Sequence, residues 1–276
     1  MKNIKYLLNP FGIFRKKKIH FPNKEKALLS SEYENFSLIK THKNNTLVVY
    51  LNDKKIYRKF SKNQKGISKI EAENKGLKWY CNKSKKNSKY IIHKFYKTNS
   101  FAYIDTKEIV GEKAKSWNSI EKNFYYLKRA IKHYIKFYPK INQSKIHGDL
   151  TLDNIIFKEK DMFIIDWEFF NSKKNFKGYD IVYLILSAAC LPYIFNKVFS
   201  KKDELLFIKL WKLLIKNKFN KKMLLRPFVY FEKNIQSDIL LKKSLKLSRS
   251  KFFPFITPKK FKKKILKIID SINHER

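Results

Sequence analysis

Residues 145–170 read KIHGDLTLDNIIFKEKDMFIIDWEFF, and the organisation of the whole chain follows from them. His147, Gly148 and Asp149 are followed shortly by Asn154, which opens an apolar run over residues 154–157 that reads as a strand. Residues 158–161 are a polar turn, and residues 162–165 are a second apolar strand that ends on Asp166. A hairpin of this size brings the start of its first strand beside the end of its second. Asn154 and Asp166 are therefore expected at one end of the ribbon, with Asp149 in the loop that feeds it. Two oxygen ligands and a separate carboxylate suit phosphoryl transfer. Asn154 and Asp166 would hold Mg2+ on a nucleotide's phosphates, and Asp149 would accept the proton of an attacking hydroxyl. A surface hairpin whose Asp and Asn residues merely cap turns is the plainer alternative. The convergence of three such groups beside two apolar strands argues against it.

The segment resembles the catalytic core of the aminoglycoside phosphotransferase and choline kinase superfamily. The shared pattern is H-G-D-x-x-x-x-N, a strand pair, then I-D-W-E. Gly148 stands where protein kinases usually carry arginine, and Asp166-Trp167-Glu168 replaces their Asp-Phe-Gly, so the resemblance is to the small-molecule kinases. It implies an α+β, two-lobed, protein-kinase-like fold, with a small N-terminal antiparallel-sheet lobe and a larger, mainly helical C-terminal lobe. It implies ATP and Mg2+ as cofactors, Asp149 as catalytic base, Asn154 and Asp166 as metal ligands, and His147 as a brace without a proton-transfer role. An acid matching Asp180 braces the catalytic loop in relatives, so Asp180 is expected to be structural. Glu168 is either a loop brace or an acceptor-site residue. The expected organisation is a basic N-terminal extension over residues 1–30, a first lobe over 31–112 with its hinge near 106–112, and a second lobe over 113–276.

With 276 residues, 43% of them hydrophobic, the chain has enough apolar side chains for a sizeable core. The net charge is +40, and only six of the 63 basic residues are arginine. Drift toward AT-rich codons accounts for this, or an anionic partner such as nucleic acid, anionic lipid or a phosphorylated glycan does. Scarce arginine weighs against specific nucleic-acid reading, which favours bidentate Arg contacts. Cys81 and Cys190 are far apart and fit a reducing, cytoplasmic compartment with no disulfide scaffold. The first 30 residues do not read as a signal peptide, because the basic cluster at 15–18 follows the apolar run instead of preceding it. They suit a solvated extension or peripheral contact with an anionic membrane surface. The longest uncharged apolar run, residues 181–195, is too short to span a bilayer.

Upstream, residues 36–39, 46–51 and 54–60 read as three strands, the last two joined by a two-residue turn at Asn52 and Asp53. By the resemblance, the third strand should offer a lysine to the nucleotide phosphates. Lys59 is the candidate, and Arg58, on the opposite face by strand alternation, is the alternative. The first turn has no glycine, so a Gly-rich phosphate cradle is absent. Residues 68–81 read as a helix with a Ser68/Glu71 capping box and an apolar stripe of Ile70, Leu77 and Cys81. Glu73 falls on the inward face of that helix. It is either paired with Lys59, as in the family's strand-lysine to helix-glutamate pair, or solvated. Residues 90–96 and 101–105 alternate as strands. Residues 106–112 follow as the linker, where Gly111 offers a flexible point and the nucleotide base would bond to backbone.

Trp117, Ile120, Phe124, Leu127, Ile131, Tyr134 and Tyr138 are spaced as one buried helical face, with Pro139 as its stop. Residues 171–177 read as a polar loop without a kinase-type activation segment. An apolar helix follows over residues 181–190, with Asp180 as a candidate N-cap. Further helices cover residues 205–215 and the C-terminal stretch with Phe261, Ile265, Ile268 and Ile272. This last region has few acids and many lysines, which disfavours cationic aminoglycosides as acceptor. It favours a neutral or anionic one, such as a sugar, sugar phosphate or lipopolysaccharide-type glycan. Choline or ethanolamine stays open through an aromatic cage formed by Trp167, Trp211 and nearby Tyr residues. The rival class is a basic protein that binds nucleic acid or a membrane surface on a degenerate kinase-like fold. The intact acid and amide set argues against it.

Overall fold

The structure is a computed structural model and describes residues 36–41, 46–83, 88–137, 143–174, 176–217, 219–237 and 253–274. The expected N-terminal extension, the turn at 43–45 and the Pro139 stop lie outside these residues. The chain divides into two compact units, Met1–Ile109 and Val110–Arg276. The class is α+β: an N-terminal antiparallel sheet precedes a mainly helical C-terminal part.

In the first unit, β1 (Phe36–Thr41), β2 (Thr46–Leu51), β3 (Ile56–Ser61), β4 (His93–Lys97) and β5 (Ala102–Lys107) form one sheet in the order β1-β2-β3-β5-β4. Leu51 pairs with Ile56, so the β2–β3 connection has four residues, not two. Lys55 takes a left-handed backbone there, with φ 51°. Strand alternation puts Leu47, Val49 and Leu51 into one buried cluster with Ile56 against it. Each such side chain contributes about 1.5–3 kcal/mol by leaving water.

Helix α1 (Gln64–Lys83) crosses between β3 and β4 in sequence and packs on β3 and β5. It begins four residues before the expected start. The Asn63 side chain caps it by accepting from Lys65 N at 3.0 Å. Ser68 is therefore an interior residue whose hydroxyl donates to the Gln64 carbonyl at 2.9 Å, and the expected capping box does not exist.

In the second unit, α2 (Ile120–Phe137) buries Ile120, Leu127, Ala130, Ile131 and Tyr134 along one face. Trp117 precedes the helix, in a turn closed by Asn118 N donating to the Lys115 carbonyl. The buried Asn123 amide ties that turn to the helix through Lys115 O at 2.8 Å. Strand β6 (Gln143–Ile146) pairs antiparallel with β9 (Asn171–Lys174), so the stretch expected to be a polar loop begins as a strand. Between them lies the hairpin, β7 (Ile155–Lys158) and β8 (Asp161–Ile164), paired from Ile155↔Ile164 to Lys158↔Asp161. Arg129, on α2, grips the hairpin turn, donating to the carbonyls of Glu159 at 2.6 Å and Asp161 at 2.8 Å.

The core of this unit is α3 (Tyr179–Ile194), which buries 13 of its 16 residues. Packed into the same unit are α4 (Lys201–Lys216), α5 (Lys221–Leu225), α6 (Pro227–Ser237), α7 (Phe253–Ile256) and α8 (Lys259–His274). Helix α4 starts with a capping box between Ser200 and Asp203. Trp167 and Trp211 are fully buried. The Trp167 indole donates to the Ile164 carbonyl, and Trp211 stacks on Phe207. Neither presents a ring face to a ligand, so the aromatic cage considered for choline is not built from them. Among the described residues no helix is long and apolar enough to cross a membrane.

One packing detail has a pH signature. His133 stacks on Phe137, and burial, with Lys136 nearby, lowers its pKa from 6.5 to about 4. As pH falls below 6.5 the unfolded chain takes up this proton first. The contribution is thus complete above pH 6.5 and is lost between 6.5 and 4, amounting to at most about 3 kcal/mol. Thermal melts at pH 7 and pH 4.5 are expected to show a smaller acid-induced drop in Tm for His133→Gln than for the parent.

Candidate active site

The site is a loop held from behind. His147 leaves β6 and is completely buried. Its Nε2 donates to the Ile165 carbonyl at 2.8 Å, since a carbonyl can only accept. Its Nδ1 then accepts the Asp149 N–H at 3.4 Å. Both ring nitrogens are engaged with backbone, and the ring packs against Trp167 at 4.7 Å. Gly148 follows with φ 89°, and a Cβ on it would lie 2.8 Å from both the Cβ and the carbonyl oxygen of Phe169. Asp180, also completely buried, sits in the first turn of α3. Gly178 occupies the N-cap of that helix, so Asp180 is not the cap considered from sequence. Its two carboxylate oxygens instead accept the backbone N–H groups of His147 at 2.8 Å and Gly148 at 3.0 Å.

Asp149 is held by three separate groups: His147 at its N–H, Asn154 at its carbonyl and Tyr183 at its carboxylate. The Asn154 amide nitrogen donates to the Asp149 carbonyl at 2.9 Å. Asn154 closes a short 3-10 turn, Leu152–Asn154, so its place is one residue before the strand rather than within it. The Ile165 N–H donates to the Asn154 carbonyl at 3.0 Å, which extends the hairpin ladder by one bond and sets Asp166 at the same end of the ribbon. Asp166 leaves the strand with φ 64°, a left-handed backbone that is unusual for a residue other than glycine. The structure thus brings Asp149, Asn154 and Asp166 together at the loop end of the hairpin, with His147 and Asp180 behind them.

The donor set fits a hard divalent cation. Asn154 turns its nitrogen to the Asp149 carbonyl, so its amide oxygen is the atom that would ligate a cation, and Asp166 would supply carboxylate oxygens. No group of three His, Cys, Asp or Glu among the described residues is placed to hold a metal by itself. A cation here would take its remaining ligands from phosphates and water. Glu168 is half-buried just beyond Trp167.

Gly111 was expected to be a flexible point. A Cβ there would lie 2.7 Å from the Phe157 carbonyl oxygen, and the next residue, Glu112, exchanges two backbone hydrogen bonds with Phe157 at 2.7 and 2.8 Å. Glycine is needed for close approach to β7, at a position tied to the hairpin.

In the first unit, the Lys59 ammonium contacts the Glu73 carboxylate at 2.7 Å, and Glu73 is buried on α1. Arg58, facing the other way, makes a bidentate pair with Asp105 at 2.7 and 2.8 Å, directly opposite on β5. Its guanidinium also covers the Tyr103 ring at 4.2 Å. Of the two basic candidates, Lys59 carries the helix-glutamate partner and Arg58 belongs to a buried ion pair.

Sequence reasoning missed Tyr183, whose hydroxyl donates to an Asp149 carboxylate oxygen at 2.9 Å. The one available signal was its place one helical turn after Asp180 within an otherwise apolar run.

No protein-family model matches the chain, and no curated protein matches it significantly. Solved structures of aminoglycoside phosphotransferases are similar over most of its length. The GDP complex of wild-type aminoglycoside 2′-phosphotransferase-IIIa has 11% identity and a TM-score of 0.43, covering 92% of this chain and 97% of that one. A GDP-bound point mutant of the same enzyme has 12% identity and a TM-score of 0.45, covering 91% and 97%. The GDP and kanamycin complex of APH(2″)-IIia has 11% identity and a TM-score of 0.38, covering 82% and 96%. The likeness to this family of structures therefore extends along most of the chain, at low sequence identity.

Proposed function

We propose that the protein is a small-molecule kinase that transfers the γ-phosphoryl of ATP to a hydroxyl of a sugar, glycan or other small alcohol. The observation that carries this reading is the backbone-braced loop end of the hairpin. There Asn154 ties Asp149 in place and the strand ladder sets Asp166 beside Asn154. Asp149 takes the proton from the acceptor hydroxyl as its oxygen forms the new bond to phosphorus. The bond from phosphorus to the β-γ bridging oxygen breaks, and the nucleoside diphosphate leaves. Bound Mg2+ would screen the charge on the phosphates, held by Asn154 and Asp166. His147 and Asp180 keep the loop rigid, and His147, with both nitrogens on backbone, moves no proton. By the resemblance of the sequence Lys59 is the lysine for the nucleotide phosphates, and it pairs with Glu73 at 2.7 Å. A cytoplasmic location, with or without peripheral contact at the inner face of the membrane, is part of the same proposal.

The test is a thermal shift with Mg-ATP and Mg-GTP on the parent protein and Asp166→Ala. At about a hundredfold excess over Kd a ligand specific to the folded state adds about 2.7 kcal/mol, or roughly 5 °C or more in Tm for a chain of this size. The parent is expected to shift, and Asp166→Ala is expected to lose the shift. No shift with either nucleotide in folded protein would overturn the proposal. The weight would then pass to a basic protein that binds nucleic acid or a membrane surface, for which the charge of +40 is the supporting observation. Steep loss of binding to DNA or anionic vesicles with added salt would identify that behaviour.

A further inference from the structure

We infer that Tyr183 is a positioning residue for Asp149, holding its carboxylate in the one rotation about the Cβ–Cγ bond that aims it at the acceptor hydroxyl. This inference rests on the phosphotransferase reading and assigns a role within the same site. A carboxylate fixed only by its backbone can still turn about χ2, a broad torsion with no sharp staggered preference. The Tyr183 hydroxyl donates to Oδ1 of Asp149 at 2.9 Å and fixes that turn.

The tyrosine itself has no freedom to follow a moving partner. Its side chain is 1% exposed, and its ring lies against Phe253 at 4.7 Å, Phe231 at 5.4 Å and Tyr179 at 6.2 Å. Burial first, and then the Asp149 charge, push its hydroxyl well above the ordinary phenol range, so it remains a proton donor. Asp180, one turn earlier on the same helix, fixes the loop backbone at His147 and Gly148. The first turns of α3 therefore set both the position of the loop and the orientation of its reactive carboxylate.

The experiment is a double-mutant cycle on turnover, using the full chain with saturating Mg-ATP and an acceptor found by screening sugars and glycans. Tyr183→Phe keeps the ring and its packing and removes only the hydroxyl. It is expected to lower kcat by about 10- to 100-fold, the worth of a hydrogen bond to a charged group. KM for the nucleotide should stay unchanged. In an Asp149→Asn background the same change is expected to lower kcat by less than about twofold, because its effect passes through the carboxylate. A merely structural role would lower turnover in both backgrounds and raise KM, and that result would overturn the inference. Full turnover in Tyr183→Phe would overturn it too, while leaving the kinase reading standing. Should Tyr183→Phe fold poorly, Tyr183→Ala, which opens a ring-sized cavity, with phenol added back provides the second variant, and recovery of kcat by phenol is then the expected result, with none overturning the inference. Absence of any transfer by the parent protein would bring down the kinase reading and this inference together.

Discussion

Asp149→Asn is expected to lower phosphoryl transfer by about 10²- to 10⁴-fold, the range of a positioned general base. Little else at the site changes with this substitution. Asparagine has the same shape, its side-chain oxygen can still accept from the Tyr183 hydroxyl, and its backbone keeps the bonds to His147 and Asn154. An amide, however, cannot take a proton from an alcohol. The folded protein should therefore bind Mg-nucleotide with an undiminished thermal shift while initial rates fall. Turnover equal to that of the parent would remove Asp149 from the role of base, and a lost thermal shift would instead place it among the nucleotide ligands.

The largest expected effect on stability comes from Asp180→Ala. Truncation leaves two buried backbone N–H groups, those of His147 and Gly148, without acceptors. Each unsatisfied buried donor costs about 1–3 kcal/mol, so the change is expected to destabilise by about 4 kcal/mol and lower Tm by roughly 10 °C. Asp180→Asn should fall between, because it keeps one acceptor oxygen but turns an amide N–H toward a donor. Urea denaturation monitored by tryptophan fluorescence checks both. The fully buried Trp167 lies against His147 and reports on the same loop. A loss below about 1 kcal/mol would show that water can replace the carboxylate at these two amides.

What could be read from the sequence followed the strength of local periodicity. The hairpin was legible because two apolar runs flank a short polar turn, and its register then followed from its length. The buried face of α2 was legible for the same reason, although Trp117, which shares the spacing, stands in the turn before it. The pairing of Gln143–Ile146 with Asn171–Lys174 was not legible. Its polar residues carry no alternation, and backbone bonding between distant segments makes the strands. The start of α1 was misplaced because Ser68 and Glu71 imitate a capping box inside a helix that Asn63 had already begun. Within the site, Asp149, Asn154 and Asp166 announced themselves by motif, whereas Tyr183 was hidden in an apolar run and its hydroxyl meets Asp149 only after folding.

The grip of Arg129 on the hairpin turn is one of two places where the structure shows what the chain's few arginines do. Six arginines stand among 63 basic residues, so nearly every cation is spelled as lysine. Arg58 and Arg129 are both in places where one side chain reaches two acceptors at once, the two oxygens of Asp105 in one case and two turn carbonyls in the other. At Arg58 two different nitrogens engage the two carboxylate oxygens, a fork that the single nitrogen of lysine cannot reproduce, whereas at Arg129 one terminal nitrogen serves both carbonyls. Lysine at position 58 would keep the charge and lose one of the two bonds, so, whatever filled the chain with lysine, this buried pair is built for arginine.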